Sequence, residues 1–295
     1  MTTLEMYQVD VFTDRPLAGN PLAVFPHAEG LSEEQMQGIA REMNLSETTF
    51  VTPPESGGNA RVRIFTPETE LPFAGHPSVG TACMLVRLGQ VAVQESLTRV
   101  VLELGVGPTA VDVWVHGGVP TGAAVHQGPP LFGKEIPRGD AAAVLGLREV
   151  DLHERLAPCV VATGLAYAII PLRDPGTLAR AWFALDLLPE FESRYAELYP
   201  CALTGHDEPY AEARCFSPAA GIVEDPATGS AAGPLAAYLA RAGLLAPGES
   251  RVLAQGDYMG RPSRLHLSVS AADGRLVDVV VGGGVVPIMQ GELTL

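Results

Sequence analysis

Three short stretches of this sequence carry side chains able to hold or move a proton. EDPATGSAAGPL (224 to 235) sets two carboxylates before an alanine-rich run, FAGHPSVGTA (73 to 82) sets a histidine before a similar run, and LSETTFV (45 to 51) places one acid among Thr, Phe and Val. Asp225 followed by Pro226 reads as a helix N-cap with proline in the first helical position. His76 stands in the matching place of its own stretch and is a poorer cap than Asp, so capping alone does not account for it. A His and an Asp facing one cleft can hold a substrate and pass protons. Glu47 has two readings on its residues alone. It is a capping or surface carboxylate, or it is an acid walled by apolar groups whose raised pKa suits acid/base work near neutrality.

Other chemistries fit less well. HPSVG (76 to 80) approaches a serine-nucleophile elbow but has His76 where a glycine two residues before Ser78 is needed. The glycines at 282 to 284 follow a strand, yet they lack the spacing of a dinucleotide-binding loop and lead into no helix. There is no phosphate loop and no HExxH, and the seven histidines are isolated. No metal or organic cofactor is expected.

The elements that must position these residues are mostly strands. Residues 7–12, 21–25, 60–65, 100–105, 110–115, 167–172, 264–269 and 276–283 alternate or are β-branched, with turn residues between them. The clearest helix starts at Ser32, whose hydroxyl caps the first turn while Gln35 completes a capping box; Met36, Ile39, Ala40 and Met43 then form one apolar stripe.

The two halves also resemble each other. From Arg63 and from Arg214 runs the frame R-x-F-[ST]-P, a gap, then [HD]-P-x-x-G-[ST]-A, which matches Phe65 to Phe216, His76 to Asp225, Gly80 to Gly229 and Thr81 to Ser230. Two copies imply two similar domains related by a pseudo-two-fold axis, 1–130 (rejoined by 281–295) and 131–280. Equivalent helix entrances in such a pair, with free N–H groups and positive dipole ends, suit an anionic group such as a carboxylate.

Bulk properties narrow the field further. With 295 residues, 47% of them hydrophobic, the chain can build substantial cores, and its formal charge of −15 without any Lys/Arg cluster argues against nucleic acid as a partner. No leader-like N-terminus and no membrane-length apolar run are seen, so a cytoplasmic protein is expected. The four scattered cysteines then read as free, small core residues.

GNPLAVF (19 to 25), LSETTFV, FAGHPSVGTA, EDPATGSAAGPL and QGDYMGRPS (255 to 263) together resemble the PhzF-like, phenazine-biosynthesis family of isomerases, which shares its fold with diaminopimelate epimerase. The resemblance spans almost the whole chain. It implies an α/β protein of α+β type with two pseudo-symmetric domains, each a curled, mostly antiparallel sheet around a central helix, the active site lying between them. It further implies a homodimer without cofactor that acts on a small carboxylated metabolite such as trans-2,3-dihydro-3-hydroxyanthranilate. By motif, Glu47 would be the general acid/base, His76 and Asp225 would bind and polarise the substrate, and Ser230 would assist, with Gly75, Ser78 and Gly229 beside them as substrate-binding positions. Epimerases of this fold use two thiols instead. Here Cys83 matches Ala232 and Cys215 matches Ile64, so the two are not related by the repeat and a two-thiol reaction is not expected. A non-catalytic metabolite-binding or protein-interaction module on the same fold is the alternative.

Overall fold

The computed structural model describes residues 3–218 and 221–295. All eight strand segments expected from the sequence fall on strands, with ends displaced by no more than a few residues except in the last, which runs on from 283 to Thr294. The helix after Ser32 forms as Glu33–Met43 with the full reciprocal capping box, and Met36, Ile39 and Ala40 turn inward. They pack on a cluster made by Phe25, Phe50 and Phe65, of which Phe25 and Phe50 stack at 5.2 Å. Because the cap satisfies two otherwise orphaned N–H groups, Ser32→Ala should cost about 1 kcal/mol in urea unfolding, with no effect on catalysis.

The chain divides into two compact units. The first holds the residues up to His126 together with Gly282–Leu295. In it, strand Thr3–Val11 pairs antiparallel with Asn20–Phe25 on one side and with the end of the final strand, Arg275–Thr294, on the other. Asn20–Phe25 runs parallel to Glu47–Thr52, which pairs antiparallel with Ala60–Phe65, and that strand in turn with the short Glu70–Leu71. Strands Leu97–Leu104, Gly107–His116 and Val119–His126 complete an antiparallel meander.

This curled sheet wraps around helix Gly75–Arg87, every residue of which from Gly75 to Val86 is buried. A helix buried on all sides needs small residues where strands approach it. Gly80 is such a point, since a Cβ there would lie 2.6 Å from Leu22 Cδ2.

The second unit, Gln127–Pro218 with Ile222–Val281, repeats the plan. Ala166–Leu172 runs parallel to Glu197–Leu203, which pairs antiparallel with Cys215–Ser217, and that strand with Ile222–Asp225. Helix Gly229–Arg241 is buried from Gly229 to Leu239 and packs on strands Cys159–Ala162, Ala166–Leu172 and Ser263–Ala272. Among the described residues, no helix is long and apolar enough to cross a membrane.

Candidate active site

In the first unit the structure brings Glu47 and His76 together. Glu47 is the first residue of its strand and His76 the second of its helix; His76 Nε2 lies 3.2 Å from Glu47 Oε2. On the other side of the ring, Asn20 Nδ2 sits 3.1 Å from His76 Nδ1. An amide nitrogen can only donate, so Nδ1 accepts and the ring proton of the neutral imidazole resides on Nε2, facing the carboxylate. Burial lowers the His76 pKa to about 3, which keeps the ring neutral at physiological pH.

Two local features hold this geometry. Gly19 adopts φ +66°, and a side chain there would run into the Val11 carbonyl oxygen, so glycine allows the close turn that delivers Asn20. Thr49 and Thr81, both fully buried, share a hydrogen bond of 2.9 Å that ties the Glu47 strand to the His76 helix. In the sequence Asn20 carries no signal beyond its place after the glycine of GNPLAVF.

In the second unit Asp225 is not a helix cap. It ends strand Ile222–Asp225, and the helix begins at Gly229 with Thr228 as N-cap. Pairing with Cys215 keeps Asp225 in the strand, and Pro226 and Ala227 separate it from the cap. Asp225 Oδ2 accepts a 2.6 Å hydrogen bond from Thr228 Oγ1, and Gln255 Nε2 donates to the Asp225 carbonyl at 2.8 Å. The QGDYMGRPS stretch is thereby explained as a brace. Gln255 also bonds Thr228, Ser263 Oγ donates to the Pro226 carbonyl, and a Cβ on Gly256 would lie 2.6 Å from that same oxygen.

The internal repeat takes a different register from the one read in the sequence. Arg63 donates to both oxygens of Glu70 and lies 5.1 Å over the Phe65 ring; Arg214 does the same with Glu224 and lies 4.8 Å over Phe216. Glu70, Pro72, Gly75 and His76 therefore correspond to Glu224, Pro226, Gly229 and Ser230, and each helix runs for thirteen residues from its glycine. His76 matches Ser230 and not Asp225, a slip of five residues caused by the shared dipeptide pattern His-Pro and Asp-Pro. Glu224 is thus the structural partner of Arg214, and Asp225 takes the place of Leu71.

The remaining candidates divide by environment. Ser230 Oγ meets the buried Tyr167 hydroxyl at 2.8 Å. Ser78 is fully buried and its hydroxyl donates to the Ala74 carbonyl within its own helix at 2.7 Å. Gly75 and Gly229 open their helices, neither of which has a side-chain cap, so first-turn N–H groups lack intrahelical partners. The Gly229 carbonyl accepts from Gln127 Nε2 at 2.9 Å, and Gln127 Oε1 occupies the space a Cβ on Gly233 would need.

Thiol chemistry finds no support in the surroundings of the cysteines. All four are free and buried, and desolvation pushes Cys83 up to about 12 and raises Cys215 as well, so neither is poised as a thiolate. Among the described residues, no group of three or more His, Cys, Asp and Glu is placed to hold a metal ion.

Known proteins show the same plan. The phenazine biosynthesis-like protein family matches residues 9–291. A trans-2,3-dihydro-3-hydroxyanthranilate isomerase of Pseudomonas aeruginosa is 36% identical over 289 residues, covering 97% of this chain and 98% of that one. The solved structure of a predicted epimerase from Pseudomonas aeruginosa superposes with a TM-score of 0.85 at 38% identity over 99% of each chain. A hydroxyproline epimerase from Agrobacterium vitis shares the fold alone, with a TM-score of 0.70 at 15% identity over 99% of this chain and 93% of that one. The two repeated units, each a curled sheet around a buried helix, are thus an epimerase-like α+β fold, and the chain belongs to the phenazine biosynthesis-like family as an isomerase.

Proposed function

We propose that this isomerase moves a proton between carbons of a small carboxylated metabolite of the trans-2,3-dihydro-3-hydroxyanthranilate class, with Glu47 as general acid/base and no cofactor in the step. The observation that carries the reading is the contact between the neutral His76 Nε2–H and Glu47 Oε2 in a buried setting. The Glu47 carboxylate removes a proton from one carbon, so that a C–H bond breaks and an O–H bond forms. The electron pair passes into the conjugated system bearing the substrate carboxylate. The Glu47 carboxylic acid then returns the proton to another carbon, restoring the base.

His76 donates toward the site throughout and holds the carboxylate in place. Asp225 and Ser230 are read as substrate contacts, joined by Gly75, Ser78 and Gly229. The uncapped helix starts offer N–H groups to the substrate carboxylate as charge develops. Homodimeric assembly and a cytoplasmic location are parts of the same proposal.

Incubation with trans-2,3-dihydro-3-hydroxyanthranilate in deuterated buffer, followed by NMR, tests it. Isomerised product is expected, carrying deuterium to the extent that Glu47 exchanges with solvent. An unchanged substrate would sink the substrate class, and saturable binding without isomerisation or exchange would mark a binding module instead.

A further inference from the structure

The register of the repeat picks out an acid that the reaction has not used. Strand Glu47–Thr52 pairs through Thr48 with Phe65, and strand Glu197–Leu203 pairs through Leu198 with Phe216, so each strand opens on a glutamate one residue before the pair. The neighbours agree. Glu47 stands opposite Leu22 on the parallel strand at its side, and Glu197 stands opposite Tyr167.

Tyr167 is the residue whose hydroxyl holds Ser230 Oγ, and the Cys215 thiol, which donates toward Glu197 Oε1 at 3.9 Å, belongs to the direct cross-strand partner of Asp225. Glu197 therefore adjoins the supports of both Ser230 and Asp225. We propose that Glu197 is a positioning residue for the Asp225 and Ser230 pair, acting through Cys215 and Tyr167 as the second unit's counterpart of Glu47. The proposal deepens the reading of Asp225 and Ser230 as substrate contacts and rests on it.

The charge on Glu197 decides what it does there. The groups acting on it, among the described residues, are Glu192 from helix Leu188–Arg194, Asp225 from its strand, the Cys215 thiol and the Tyr167 phenol. Burial first, then the two neighbouring carboxylates, push its pKa up to about 8. Below that pH the neutral acid places no charge beside Asp225. Above it, a second negative charge repels both Asp225 and the carboxylate of an incoming substrate.

Two measurements decide the matter. With trans-2,3-dihydro-3-hydroxyanthranilate, the wild-type KM should rise at least about tenfold between pH 7 and pH 9.5 while kcat changes less, and Glu197→Gln should flatten that rise. An alkaline rise that persists in the Gln variant overturns the proposal. Independently of any substrate, the Asp225 carboxyl resonance in protein labelled with 13C-carboxyl aspartate should show an inflection near pH 8 that is absent from Glu197→Gln. No such inflection in the wild-type protein also overturns it, whether or not the variant folds. If the wild type fails to isomerise the substrate, the proposed function falls and the resonance still decides the role of Glu197.

Discussion

Glu47→Gln is expected to lower kcat by about 10²- to 10⁴-fold, the usual contribution of a positioned acid/base, while KM changes little. Glutamine keeps the length and shape of the side chain and sets an amide oxygen where the carboxylate now lies 3.2 Å from His76 Nε2, so the packing of the pair is retained in the variant. What it loses is the capacity to take up a proton and give it back. The strand that begins at residue 47 is held by its pairing with Asn20–Phe25 and Ala60–Phe65 and by the Thr49–Thr81 bond, so thermal unfolding should stay near wild type. Steady-state kinetics on the isomerisation checks this directly. A variant within tenfold of the wild-type kcat would move the base elsewhere.

The second large effect concerns acid stability. The folded protein protonates His76 only near pH 3, because burial opposes the charged ring, whereas the unfolded chain protonates it near its ordinary 6.5. Below pH 6.5 the unfolded state therefore binds more protons, and stability falls as pH falls until the folded ring also titrates. Fully expressed, the loss reaches about 5 kcal/mol, and the attraction of the adjacent Glu47 for an imidazolium makes that an upper bound. Urea unfolding at pH 7, 5 and 4 should show His76→Gln less stable than wild type at pH 7, with the gap closing as pH falls. Parallel losses in the two proteins would place the acid sensitivity in other groups.

Much of the local structure was legible because single residues announce it. Ser32 and Gln35 specify a helix start with no reference to the rest of the chain, and the alternating runs specify strands in the same way. Glu47 and His76 were identified by motif, but their contact depends on Asn20, Gly19 and the buried Thr49–Thr81 bond, which join segments far apart in sequence. Local patterns do not encode such meetings.

The sequence displays the repeat but not its register. His-Pro and Asp-Pro look alike as dipeptides, yet the first lies inside a helix and the second ends a strand. The pattern E-x-P-x-x-G, which sets the true register, consists of one ion-paired glutamate and two backbone-shaping residues. Glu197 was missed for a related reason. Its signal was a glutamate preceding an R-x-F strand at nearly the same distance as Glu47, and that becomes readable only once the strands are paired.

The pairing of Thr3–Val11 with residues 285–294 bears on how the protein is made. During synthesis strand Thr3–Val11 is made long before residues 285–294, which cover one of its edges. Until then the nascent chain presents an unpaired strand edge, open to association with other chains. The first unit thus cannot complete its sheet until residues 285–294 have been made, on the far side of the whole second unit in sequence.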